Sequence, residues 1–439
     1  MIALERLFPT GRPAGHVVAW RGRETLRWER FRAETGGMAG HLSGCGQALL
    51  LCRDPWRFAV ALFGLLAAGA RVAVPPNAQP DTIARLVQGC DRVIDDDTVA
   101  GAADWDGRLE AGRPLLCFHT SGSGGDSKPV ARSLRQFDAE IAALESRWGD
   151  EAAAAPTLSC VPHHHVYGLT FGLLWPLAAG RPFLTRRPDV WEEVLDALPD
   201  GAVLVASPAH LTRMGGLSPL PSTRRPRMVL SAGAPLPETA AQEARHLLGV
   251  PVTEIYGSTE TGAIASRRRD SSDPPWRPLP GYRLETDTAG RAWLHAPQVV
   301  GEGRSELSDR ILAEPGGGFR LLGRADRIVK IEGKRVALDE IEQMLLAQPE
   351  IAAAAALVLG DEQAVLAVVA VPTAQGWEAL RRQGRFALGR ALRRRLAAGF
   401  DPAALPRRWR FVADLPPAPL GKRRSADLIA LFGPQSADG

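Results

Sequence analysis

The chain is poor in cysteine, methionine and tyrosine: five, five and three among 439 residues. The cysteines (Cys45, Cys52, Cys90, Cys117, Cys160) are odd in number and show no CxxC spacing. That argues against a disulfide framework and for a reducing, cytoplasmic compartment. Long apolar runs are also missing. The longest, residues 58–70, stops at Arg71. It falls short of the about 20 residues that cross a bilayer, so it reads as a buried helix. The N-terminus has no basic start followed by an apolar stretch, so no secretory signal is expected. Charge of one sign is lacking too: 53 basic residues face 49 acidic ones, net +4. Nucleic-acid binding would call for a clustered basic stripe with stacking aromatics, and a mild excess spread over this length is no argument for it. Neither a membrane nor a nucleic acid is expected as partner. No internal repeat is found.

What is present is a chain that is 45% hydrophobic and long enough for two or three domains. Up to about residue 300, helical stretches alternate with short apolar runs such as "ALLLC", "PLLCF", "AVLVAS", "RMVLSAG" and "PVTEIYG". That alternation predicts an α/β architecture with much parallel pairing, its sheets flanked by helices. After residue 265 the texture changes to a Pro-rich, charged connection and then short strands with turns. From Asp339 the chain reads helix, strand, strand, helix, strand, a smaller α+β unit. The expected division is 1–323 and 324–439.

The segment "LLCFHTSGSGGDSKPVARS" (115–133) ends an apolar strand in a Gly/Ser loop with one lysine. Glycines let a backbone approach an anion closely, and successive N–H groups form a concave anion site. Thr120, Ser121 and Ser123 add hydroxyl donors, and Lys128 a cation. A flexible linker is the plain alternative. A Walker loop, GxxxxGK[ST], begun at Gly122 needs Gly at 127 and Ser or Thr at 129. The chain has Ser127 and Pro129, so the magnesium-binding hydroxyl is missing.

A different pattern fits in register. Thr120, Ser121, Gly122, Ser123, Gly125 and Lys128 resemble the signature loop of the adenylate-forming superfamily, which unites acyl-CoA synthetases, firefly luciferase and peptide-synthetase adenylation domains. Gly124, Ser127 and Pro129 depart from it. Further segments follow in the order of that superfamily. "EIYGSTETG" resembles its Y-G-x-T-E motif, which implies Tyr256 and Gly257 at the adenine, Thr259 at the α-phosphate and Glu260 on Mg²⁺. A helix start capped by Ser258 or Thr259 is the other reading of that stretch. "LSAGAPLP" puts Gly233 and Ala234 where small residues admit nucleotide and acyl group. Asp309, fourteen residues before Gly323, and Arg324 match the ribose and phosphate contacts. Asp326 matches the hinge, Gly333 the pantetheine tunnel with Lys330 nearby, and Lys422 the catalytic lysine. Ser425 stands where the family has an arginine. The resemblance further implies a small β-barrel-like part in the large domain and a mobile C-terminal domain.

"VPHHHVYGLTFGLLWPLAAG" raises the question of a metal. Three adjacent histidines point apart and cannot share one ion. His163 and His164 read as structural hydrogen-bonding groups. The segment resembles that of aryl and coumarate CoA ligases, implying His165 as a catalytic group at the carboxylate entrance, and Tyr167 and Gly257 along the acyl pocket. With "SLRQFDAEIAALESRWG" it looks most like the stand-alone aryl acid ligases of aryl polyene and xanthomonadin pigment clusters.

The function so implied is ATP- and Mg²⁺-dependent activation of a hydroxybenzoate- or hydroxycinnamate-type acid. The acyl group then passes to the phosphopantetheine thiol of an acyl carrier protein. The arginine-rich stretch 380–400, Arg393 to Arg395 included, suits an acidic carrier, or is simply a solvated helix face. Alternatives are a CoA ligase for an aryl or medium-chain fatty acid, a P-loop NTPase or kinase, and a catalytically silent nucleotide-binding homologue.

Overall fold

The computed structural model describes residues 1–98, 100–120, 128–271, 273–299, 303–324, 327–331, 334–360, 365–397, 400, 405–416 and 425–433. Ser121, Gly122, Ser123, Gly125, Asp326, Gly333 and Lys422 lie outside the described residues, as do the side chains of Thr120, Lys128 and Lys330. The chain forms two compact units. One holds most of the first 283 residues with His295–Arg304; the other holds Leu284–Leu294 and Ser305 onward.

The first unit contains two large sheets. In one, β1 (Gln47–Leu50), β2 (Arg71–Val74), β3 (Arg92–Ile94) and β4 (Leu116–Thr120) run parallel, and β5 (Lys128–Arg132) returns antiparallel along β4. The apolar run seen in the sequence becomes helix α1 (Pro55–Ala67), which is buried nearly throughout. Asp54 caps it, its carboxylate accepting from Arg57 N at 2.9 Å, and Pro55 occupies the first turn, where no amide donor is needed. Helix α2 (Leu134–Ala152) follows β5 directly. Ser133 and Gln136 form a reciprocal capping box that starts it.

The second sheet has nine strands. Its centre is parallel: β6 (Thr157–Ser159), β7 (Val203–Ala206), β8 (Met228–Ser231) and β9 (Val252–Ser258), in that spatial order. Strand β10 (Gly262–Arg268) then turns back antiparallel on β9. The parallel strands are mostly buried because both faces are covered, and β7 and β8 are almost wholly apolar. Both large sheets therefore carry an antiparallel pair beside their parallel strands, β4–β5 and β9–β10.

The second unit begins with short strands. The hairpin β11 (Asp309–Glu314) and β12 (Gly318–Arg324) sets Asp309 opposite Arg324. Strands β13 (Ile328–Ile331) and β14 (Lys334–Ala337) pair next and lead into α3 (Leu338–Leu346). Strands β15 (Ile351–Leu359), β16 (Val365–Pro372) and β17 (Arg408–Phe411) form a sheet, with α4 (Ala374–Leu396) between the last two in the chain. Leu388, Leu392 and Leu396 of α4 and Ile341 and Leu345 of α3 share a core with that sheet. The helix–strand–strand–helix–strand order is the one expected.

Pro129 lies in edge strand β5, opposite His119, where a missing amide donor is tolerated. Ser258 and Thr259 do not cap a helix; they enter the β9–β10 turn. A Walker loop opens a helix, whereas residues 121–127 are bracketed by paired strands, and this removes the P-loop alternative.

Asp138 on α2 accepts the Leu4 amide at 2.6 Å, tying the N-terminal turn to this helix. Burial raises its pKa to about 6, against the lowering effect of the Leu4 and Glu5 amides. The folded value exceeds the unfolded one, so the stability from the protonated form is complete below the ordinary aspartate range and is lost as pH rises through 6. Asp138→Asn removes this titration. Thermal denaturation should show the wild type losing roughly 2 kcal/mol relative to the variant between about pH 4 and pH 7.

Candidate active site

Ligands of open α/β sheets collect at the carboxyl ends of the strands. Here three of the sequence segments lie at such ends in one sheet. Strand β6 runs out into the histidine segment, β8 into Gly233 and Ala234, and β9 into Tyr256–Glu260. The short helix Val166–Leu169 packs against β10, which brings the histidine segment to the β9–β10 hairpin. Asp309 and Arg324 face each other on the hairpin of the second unit.

The β9–β10 turn is tightly specified. Ser258 and Thr261 exchange bonds: the Ser258 amide donates to Thr261 Oγ1 at 3.3 Å, and the Thr261 amide to Ser258 Oγ at 3.2 Å. Gln298 Nε2 donates to the Thr261 carbonyl at 3.1 Å. Gly262 closes the turn at φ +70°, a left-handed conformation that favours glycine. Glu260 stands exposed at the tip and Thr259 is half-buried. Tyr256 is backed by Trp276, ring centroids 5.7 Å apart, and Arg267 lies 4.6 Å over the far ring. The tyrosine ring thus has a braced position from which to meet a flat purine.

The Gly233 turn follows β8 and is left-handed too, with φ +97°. It is held from below by Glu254. This buried carboxylate accepts from Leu236 N at 3.2 Å and pairs with Arg267 at 2.7 Å and Arg269 at 3.3 Å. Arg269 also donates to the Leu236 carbonyl at 3.2 Å. Glu254 went unread in the sequence. The one available signal was a lone acid inside the apolar run "PVTEIYG" with arginines two strand-lengths later.

In the histidine segment the roles divide. His163 is buried and its Nε2 lies 2.8 Å from the Cys52 carbonyl, with Phe58 packed at 4.3 Å. It is structural, as expected. His164 and His165 stack edge-on at 4.3 Å. Burial pulls the pKa of His163 and of His165 down to about 4, and that of His164 to about 2. All three imidazoles are neutral at pH 7. Among the described residues no cluster of three His, Cys, Asp or Glu side chains could hold a metal ion. Tyr167 packs on Phe171 at 5.0 Å, and its buried hydroxyl has no hydrogen-bond partner among the described residues.

In the second unit, Asp339 at the start of α3 accepts from Arg324 N at 2.8 Å and pairs with Arg327, which also reaches Glu342 at 2.6 Å. These contacts tie the end of β12 to the start of α3. In α4, Arg395 is engaged with Glu350 through two bonds of 2.7 and 2.9 Å, so the trio Arg393–Arg395 is not the free charged face that the sequence implied. Arg395 is nonetheless exposed, as are Arg381, Arg382, Arg385, Arg390 and Arg394, beside an exposed Phe386.

No helix among the described residues is long and apolar enough to cross a membrane. The sequence profile described as AMP-binding enzyme matches residues 97–291. The 4-coumarate–CoA ligase of Rhodobacter capsulatus is 28% identical over 315 residues, covering 71% of this chain and 75% of the relative. That of Cereibacter sphaeroides is 30% identical over 308 residues, covering 70% and 69%. ATP-bound MatB from Rhodopseudomonas palustris shares the fold with a TM-score of 0.78 at 18% identity, over 96% of both chains. The strand-end motifs and these relatives agree: the chain belongs to the AMP-binding, adenylate-forming enzymes and is an AMP-forming acid–thiol ligase.

Proposed function

We propose that the protein uses MgATP to convert an aromatic carboxylic acid of the hydroxybenzoate or hydroxycinnamate type to its acyl-adenylate, then transfers the acyl group to the phosphopantetheine thiol of an acyl carrier protein. The observation that carries the reading is the gathering of the histidine, Gly233 and Tyr256–Glu260 segments at the carboxyl ends of one parallel sheet. The aromatic acid is supported by the coumarate ligases among its relatives, and the carrier by a distant prolyl-carrier protein ligase of Pseudomonas fluorescens.

The substrate carboxylate attacks the α-phosphorus of ATP, a bond to pyrophosphate breaks, and acyl-AMP forms. The protein's part is positioning and charge neutralisation. The loop 120–128 cradles the β- and γ-phosphates with Thr120, Ser121, Ser123 and Lys128. Tyr256 and Gly257 hold the adenine beside Gly233 and Ala234, and Thr259 meets the α-phosphate. Asp309 and Arg324 take the ribose. Glu260, one exposed carboxylate, fits Mg²⁺, which is commonly held by one or two carboxylates together with substrate phosphates. When bound, that ion would neutralise phosphate charge. Neutral His165 lines the entrance for the substrate carboxylate, with Tyr167 deeper along the acyl pocket. Lys422 bridges carboxylate and α-phosphate in this step. The second step uses a rotation of residues 324–439 about Asp326, and backbone at Gly333 admits the pantetheine arm. A CoA acceptor is the second reading, favoured by the CoA ligases among the relatives.

Pyrophosphate release should depend on an added aryl acid, with AMP as the nucleotide product, and Lys422→Ala should lower it by at least about 100-fold. ADP formation, or no acid-driven release across an aryl and fatty acid panel, overturns the reading. Replacing Arg381, Arg382 and Arg385 together by Glu should raise the KM for carrier protein about tenfold, leaving acid-dependent pyrophosphate release and transfer to CoA unchanged. Unchanged carrier kinetics rule out this face as the docking surface. His165→Ala should lower kcat/KM for the acid about tenfold. Because burial holds His165 near 4, the wild-type rate profile should carry no histidine inflection between about pH 6 and pH 8.

A further inference from the structure

The end of β5 and the start of β10 meet at a buried ion pair, Arg132–Glu140, to which the sequence reading gave no role. Arg132, the last residue of β5, donates from Nη2 to Glu140 Oε2 at 2.9 Å. The two side chains are 1% and 2% exposed. The other carboxylate oxygen, Oε1, accepts the amide of Ala263 at 2.8 Å. Ala263 is the second residue of β10, opposite Gly257 and directly after the turn that carries Thr259 and Glu260. A side chain at Gly262 would collide with the same carboxylate, its Cβ 2.2 Å from Oε2, so the turn sits down on Glu140. A parallel route runs along α2: Gln136 Nε2 donates to the Gln298 carbonyl at 3.2 Å, and Gln298 holds Thr261.

The pair is poorly built for stability alone. The Nε and Nη1 donors of Arg132 are buried with no hydrogen-bond partner among the described residues, and the guanidinium instead covers Phe137 at 4.1 Å. Buried donors left unmade are costly, and apolar replacement of a buried ion pair is often neutral or stabilising. What the pair supplies that apolar contacts do not is direction: it links β5 and β10 through two hydrogen bonds to one carboxylate.

We propose that Arg132 and Glu140 are positioning residues for the adenylation step. They set the spacing between strand β5, which leads out of the phosphate loop, and the β9–β10 turn, so that both engage one ATP. The proposal rests on the reading of residues 120–128 as the pyrophosphate cradle. Neither side chain touches substrate; both act through backbone that does.

The test is the double variant Arg132→Met with Glu140→Gln, which removes both charges, severs β5 from α2 and leaves an acceptor for the Ala263 amide. KM for ATP and KM for the acid are measured separately in pyrophosphate release. The ATP value should rise about tenfold while the acid value stays within about twofold, since a small misplacement of the reacting groups has a large kinetic effect. A folded double variant with wild-type ATP KM overturns the proposal, and so does a parallel rise of both constants, which marks general loosening. Should the double variant not fold, Glu140→Gln alone decides: Gln keeps one acceptor oxygen for the Ala263 amide but sets an NH2 donor against the Arg132 guanidinium, and ATP KM must still rise about threefold. Acid-dependent release by the wild type is the control. Its absence sinks the ligase reading, whereas its presence with unmoved variants sinks only the positioning role.

Discussion

The first unit depends on a carboxylate with no exposed surface to spare. Glu140 sits between the two large sheets, where the apolar packing around it has no preferred register. Each of its oxygens is committed, one to the Arg132 guanidinium and one to the Ala263 amide. A charge in that place is tolerable only when paired and hydrogen-bonded. The pairing therefore dictates where β5 ends, where α2 begins and where β10 starts. Ser133 and Gln136 reinforce it by opening α2 one residue after Arg132.

The same economy recurs at Glu254. One buried acid, two arginines and one backbone amide hold the Gly233 turn against the Tyr256 strand. Two buried carboxylates thus support the turns at the sheet ends, while Gly233 and Ala234 are small and Glu260 is exposed. That division makes sense for a phosphoryl site. Backbone amides, hydroxyls and a lone carboxylate at the rim must reach solvent-borne polyphosphate, so their precision has to come from beneath.

Much of the architecture was legible in the residues. Apolar runs bounded by Gly and Pro became parallel strands, and the run 58–70 became the buried helix α1. The motif segments at Tyr256, Gly233 and His165 were legible too, because each keeps its residue types in one short window. Supporting charges were not. Arg132 and Glu140 are eight residues apart on different elements, and Ala263 is another 123 residues away, which no local window joins. Arg395 looked like one more solvated arginine until Glu350 was placed beside it.

The loop "TSGSGGDSKP" marks where the two sources of information divide. Its composition determined that an anion-binding backbone was on offer, and its register disagreed with a Walker loop at two positions. Residue types alone can say that much, since they carry the glycines, the hydroxyls and the lysine. Only the tertiary structure decided that the loop connects two antiparallel strands instead of opening a helix. It also decided that the strand leaving the loop ends on an arginine bonded to the acid beneath the Tyr256–Glu260 turn. Sequence spacing cannot encode that meeting, because it is fixed by how two sheets pack and by the requirement that a buried charge find its partner.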